Sequence, residues 1–200
     1  MYLTSLTPSY VPQQAQGTWY LPPATQALWS PTKGGSFSNA LRLEGVDGTA
    51  DMGLLWAISE PITSADFPAG CMVNWGIEAL QESIDSGLYW HIHVYVLAGS
   101  TDAIRCTLLE DYREDDASNN EWPVNLVGAG PQPGPPLLSP CIAPPQLGDR
   151  LAIEIGFVAR NAMNEPHFGF VNYGTTDVDV VIGESGGAAW VDLIGATVTF

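Results

Sequence analysis

Residues 87–112 read Gly-Leu-Tyr-Trp-His-Ile-His-Val-Tyr-Val-Leu-Ala-Gly-Ser-Thr-Asp-Ala-Ile-Arg-Cys-Thr-Leu-Leu-Glu-Asp-Tyr, and this stretch decides the fold class. Side chains on a strand alternate between faces. Trp90, Ile92, Val94 and Val96 therefore share one face of the first run, with Tyr89, His91, His93 and Tyr95 on the other. In the second run Ile104, Cys106 and Leu108 oppose Arg105, Thr107 and Leu109. The small polar segment Gly99-Ser100-Thr101-Asp102 between the runs predicts an antiparallel hairpin. One face of it is apolar throughout, so it must lie against a second layer.

The same alternation recurs on both sides of the hairpin. Val73, Trp75, Ile77 and Ala79 oppose Asn74, Gly76 and Glu78; later, Leu151, Ile153, Ile155 and Phe157 oppose Ala152, Glu154, Gly156 and Val158. Shorter strands are expected at Ser36–Leu43, Met52–Ile58, Ala57–Ile62 (ending at Pro61), His167–Tyr173, Val178–Ile182 and Trp190–Phe200. No amphipathic helical period appears. Eight or nine short strands punctuated by Gly and Pro predict an all-β, antiparallel β-sandwich, jelly-roll-like. Residues 36–200 form its single domain.

Two stretches break the pattern. Residues 1–35 hold Pro8, Pro12, Pro22, Pro23 and Pro31 among Tyr2, Tyr10, Trp19, Tyr20 and Trp29, which predicts an extended N-terminal arm. Its aromatics dock either on the domain or on a neighbour. Residues 111–149 read as a loop insertion, acid-rich at first (Glu110, Asp111, Glu114, Asp115, Asp116, Glu121) and Pro/Gly-rich from Pro123 to Pro145. A loop of this length inside a compact domain is usually functional.

The formal net charge is −16, with Lys33 the only lysine. Such a surface repels phosphate backbones, so no nucleic-acid partner is expected. Neither a basic region nor a long apolar core follows Met1, so no signal peptide is expected, and no stretch has the apolar length of a spanning helix. Cys71 and Cys106 fall in apolar strand patterns and Cys141 in the proline-rich loop; all three are expected as free, inert thiols in a reducing compartment.

Several groupings invite a chemical reading. His91 and His93, at i and i+2, point to one side of a strand as metal ligands do, but two imidazoles leave a site incomplete and His167 is the only other histidine. Gly183-Glu184-Ser185-Gly186-Gly187 looks like a serine-protease nucleophile loop, yet the glycines suffice for a turn and no base or oxyanion hole is indicated. The acids of 110–121 lack the spacing of a calcium loop. Trp19, Trp29, Trp56, Trp90, Trp122 and Trp190 are enough to stack on sugar rings, and equally serve as core or interface anchors. No cofactor, metal or catalytic set is expected.

Tyr89–Val96, Arg105–Leu109, Glu121-Trp122-Pro123, Gly148–Gly156, Val171–Asp177 and the opening Met1-Tyr2-Leu3-Thr4 resemble a family of tailed-bacteriophage virion structural proteins, over nearly the whole chain. The chain departs from the family's small-residue pattern at Arg105-Cys106-Thr107, and the stretch Pro131–Pro145 looks like an addition. The resemblance implies a non-enzymatic virion component assembled in the host cytoplasm. In that reading it is a capsid cement or decoration protein on the outer surface of the major capsid protein shell. It would be a homo-oligomer, expected as a homotrimer, with contacts at Tyr2, Tyr10, Trp19, Tyr20, Trp29, Trp122, Pro131, Pro133, Pro136 and Pro145. The alternative is a tail- or fibre-associated carbohydrate-binding module that recognises a host surface glycan.

Overall fold

A computed structural model describes residues 1–34, 39–45, 50–82, 87–114, 121–160, 167–174 and 178–200. Among them there are strands, turns and loops and no helix, so none that could cross a membrane. In chain order the strands are β1 (Tyr2–Thr4), β2 (Thr25–Ser30), β3 (Asn39–Gly45), β4 (Asp51–Ser59), β5 (Ser64–Asp66), β6 (Met72–Gln81) and β7 (Leu88–Leu97). Then come β8 (Ile104–Arg113), β9 (Val127–Ala129), β10 (Arg150–Ala159), β11 (His167–Tyr173), β12 (Trp190–Ile194) and β13 (Thr197–Thr199).

The predicted hairpin is β7–β8. Its turn is closed by Ala98 N–H donating to the Ala103 carbonyl, with Gly99 in the left-handed region at φ +63°. β10 joins the other side of β7 in continuous antiparallel register, Arg150 opposite Leu97 through Ala159 opposite Leu88. The full hydrogen-bonded order is β3-β11-β6-β12-β1-β2-β4-β10-β7-β8, with β9 on β6 and a separate β5–β13 pair. All named pairings are antiparallel except β2 with β4.

This path folds over on itself into two layers. Trp75 of β6 meets Trp90 of β7 and Tyr112 of β8 edge-on, at ring separations of 6.0 and 6.1 Å. Gly169 of β11 leaves room for the Phe157 ring of β10, which any Cβ there would strike. The β6–β11 layer therefore lies over β7, β8 and β10. The core between them holds Trp90, Ile92, Val94 and Val96 with Ile153, Ile155 and Phe157, the faces that alternation assigns inward.

The N-terminal segment is not a free arm. β1 is wedged between β12 and β2, pairing Tyr2 with both Trp190 and Ser30. β2 then runs beside β4. Short strands flanked by prolines escape a periodicity reading, because only their long-range partners stabilise them.

Other expectations need correction. Val178–Ile182 forms only isolated bridges, to Ala188 and Gly128, and not a strand. Trp190–Phe200 divides at Gly195 (φ +81°) into strands with different partners. Cys106 and Cys141 are not free thiols: they form a disulfide with Cα atoms 5.4 Å apart, while Cys71 stays free and buried. β8 is the last strand on its side, and the proline-rich insertion runs along it, with Ser139 N–H donating to the Leu108 carbonyl. The disulfide fixes that cover, which limits strand addition at an open edge. Ser36, Phe37, the Val46–Gly48 turn, Asp115, Asp116 and Thr175–Asp177 lie outside the described residues.

Candidate functional site

The outward face of β7, β10 and β4 is where the chain gathers its polar groups. Trp56, Ile58, Tyr95, Leu97 and Ala152 form a second apolar cluster there, with Tyr10 and Ala15 packed on it. Among them Glu154 is completely buried. A buried carboxylate must be satisfied by donors. Glu154 takes four: Gln16 N–H at 2.6 Å, Tyr95 O–H at 2.8 Å, Gly17 N–H at 2.9 Å and Trp19 Nε1–H at 2.6 Å. Three of these come from residues 9–21, which cross the face as a strap. Its other moorings are Ser9 to Glu60, Tyr10 to Asp102, Gln13 N–H to Asp102, and Tyr20 N–H to the Asp51 carbonyl. Gly156 of β10 admits the Trp19 ring: a Cβ would sit 2.6 Å from it.

The histidine pair lies under the same strap. The Trp19 ring covers His91 at 4.1 Å. His91 Nδ1 is 3.0 Å from Asp51 and its Nε2 is 3.4 Å from Asp111. Asp51 also receives Arg113, at 2.9 and 3.3 Å, so its carboxyl is held below the usual range despite burial. Asp111 adopts φ 42° where the β7–β8 register shifts. That bulge turns its N–H onto His93 Nδ1 and its carboxylate toward His91 and Thr18 N–H. Among the described residues His93 Nε2 is buried without a partner, and burial lowers the His93 pKa. Burial together with Glu154 pushes the Tyr95 hydroxyl far up, so it stays a donor. Among the described residues no group of three or more His, Cys, Asp or Glu could hold a metal. The strap closes this face over Glu154, His91 and His93.

The other sequence candidates separate. Ser185 sits in an exposed turn, with Gly186 N–H donating to Glu78, while both strap-covered histidines are engaged elsewhere. Among the expected contact residues, Trp29 and Trp122 are buried in the core because they occupy inward positions, which corrects their assignment as contacts. Trp19 and Tyr10 are spent on the strap's own moorings. Tyr2 is half-buried near Lys33 and Asp179. Tyr20 is 67% exposed. Pro133 is exposed, and Pro131, Pro136 and Pro145 are half-buried on the insertion.

Two features had no reading in sequence. Glu154, opposite His93, is the lone acid in the apolar run 151–157, and that misfit was the available signal. The second is a cavity of about 230 Å³ bounded by Trp90, Glu121-Trp122-Pro123, residues 127–130, Gln132, Ile182 and Gly183. Beside it Glu114 is buried, accepting from Gln132 N–H at 2.9 Å, its other oxygen without a partner among the described residues; desolvation pushes its pKa up to about 7.

Fold and site together define an all-β sandwich with a strap-sealed polar face and a disulfide-tethered proline-rich insertion. Comparison with protein-family models and with curated proteins finds no match.

Proposed function

We propose that this chain is a non-catalytic structural protein of a tailed-phage particle, seated on the outer surface of the major capsid protein shell, which it stabilises. The observation that supports this reading is the shape of the insertion. Leu137, Ile142 and Leu147 are 67%, 101% and 80% exposed. Their loop is nonetheless held in place by the Cys106–Cys141 disulfide. Hydrogen bonds from Val73 N–H to the Pro136 carbonyl and from Leu138 N–H to the Cys71 carbonyl add to it. Apolar side chains on a pre-ordered loop lose little entropy on docking. With a net charge of −16, the seat that suits them is an apolar hollow with a basic rim. The contact role moves from the strap's aromatics to this loop and to Tyr20. The assembly unit expected from the resemblance is a homotrimer.

Sedimentation with empty capsids tests this. The protein should pellet with capsids, and Ile142→Asp with Leu147→Asp should weaken binding about a hundredfold or more, as for two buried anchors. Cryo-EM density at the shell surface, counted per capsid subunit, gives the oligomeric state. Density confined to the tail, or full binding by the double variant, rejects the reading.

A further inference from the structure

We propose that the Cys106–Cys141 disulfide is a redox-operated clasp. Closed, it fixes the loop 142–148 that displays Ile142 and Leu147; opened by reduction, it frees that loop without opening the sandwich. Its consequence for capsid docking, a regulation of the loop invoked above, rests on that reading.

The loop is pinned at both ends to adjacent residues of β8. At one end Cys141 is bonded to Cys106. At the other, the Asp149 carboxylate is 2% exposed and receives the guanidinium of Arg105 through Nε and Nη2. Gly99 N–H at 3.0 Å and Gln146 N–H at 2.7 Å donate to the same carboxylate. Gly148 N–H donates to the Ile62 carbonyl at 2.9 Å. This second clasp is a charge-assisted network that thiol chemistry does not touch. The first clasp is covalent, and a thiol can open it.

The segment before the loop keeps that opening local. Leu138 is buried in the core. Val73 N–H donates to the Pro136 carbonyl at 3.1 Å, and Leu138 N–H to the Cys71 carbonyl at 2.8 Å, on the β6 side. On the β8 side Ser139 N–H donates to the Leu108 carbonyl at 2.7 Å. None of these bonds needs the sulfur–sulfur link. Ser139 and Leu108 each lie two positions from a cysteine, so the two thiols stay near each other after reduction and can close again. Cys106 and Cys141 are both half-buried, within reach of a small thiol, whereas Cys71 is 1% exposed and shielded.

Oxidised glutathione closes the clasp in two exchanges. One cysteine thiolate attacks it, forming a mixed disulfide and releasing one glutathione thiolate; the other cysteine then displaces the second. The cysteine pair gives up two electrons and two protons, which leave on two glutathione thiols. Reduced glutathione runs both exchanges backwards.

Thermolysin, which cuts before Ile and Leu, reads the loop directly. The full chain is equilibrated in glutathione buffers from reducing to oxidising, and the disulfide fraction is scored by alkylation and mass. Oxidised protein should resist cutting before Ile142 and Leu147. Reduced protein should be cut there at least about tenfold faster with the strands left intact, because proteolysis follows the population of the open form. Cys141→Ser should be cut at the reduced rate in every buffer. Capsid sedimentation is the second arm: reduced protein and Cys141→Ser should bind about tenfold more weakly, the cost of ordering a freed loop. The clasp is overturned if the disulfide ignores the glutathione ratio, if both states are cut alike, or if reduction unfolds the whole domain. Equal capsid binding by both states overturns its role in docking. If cutting follows the disulfide but oxidised protein fails to pellet with capsids, the shell reading falls and the clasp stands.

Discussion

The two faces of the β4–β10–β7 layer solve burial in opposite ways. Inward, Leu55, Ile153, Ile155, Val94 and Trp90 meet the second layer with almost no polar atoms. Outward, Trp56, Tyr95 and Ala152 share space with Glu154, His91 and His93, and the cover is the chain's own residues 9–21. The inner face is held by area and shape, which tolerate no loss of volume. The outer one is held by a few charge-assisted hydrogen bonds, each with a defined donor. Damage inside should spread through the whole domain, whereas damage outside should stay local.

The largest expected effect is on the inner face. Trp75→Ala should cost about 3–5 kcal/mol in denaturant unfolding, because the ring spans both layers. A loss below about 1 kcal/mol would mean that the layers are not packed as described.

Next comes pH. Glu114, beside the inner core, has a pKa raised from 4.5 to about 7. The folded state therefore holds its proton where the unfolded state has released it, so stability falls as pH rises from about 4.5 to 7 and stays lower above that. The fall is on the order of 3 kcal/mol. Glu114→Gln should flatten this slope in thermal melts across that window. His93, under the strap, gives the opposite slope: its lowered pKa leaves the unfolded chain with more protons, so stability falls as pH drops below 6.5. A Glu114→Gln melt that keeps the wild-type slope would assign it elsewhere.

The smallest effect belongs to the outer face. Glu154→Gln replaces an acceptor oxygen with an amide that faces donors, at a cost of about 2 kcal/mol. Its signature is the mode of failure: limited proteolysis should cut within residues 9–21 while the sandwich resists. Cleavage spread evenly through the chain would erase the distinction between the faces.

These two faces also differed in legibility. Trp90, Ile92, Val94 and Val96 announce themselves by alternation, as do β6 and β10, because a period of two is written locally. Two of the strap's three donors to Glu154 are the Gln16 and Gly17 main-chain groups, which carry no side-chain signature. β1 and β2 pair with residues far away in sequence, and so does Cys106 with Cys141, 35 positions apart. Periodicity is silent on such partners. The contact role expected of Trp29 and Trp122 failed for a related reason: tryptophans in irregular sequence looked exposed, but tertiary pairing turned them inward.

The wedging of β1 has a consequence for folding. Met1 N–H donates to the Val191 carbonyl, and Tyr2 pairs with Trp190. β1 therefore completes its pairing only when a strand far along the sequence is in place. Closing that sheet joins positions 190 apart, one of the most non-local contacts in the fold, at a high loop-closure cost. Folding should therefore be slow, and the strand borders left open until then should favour association between chains.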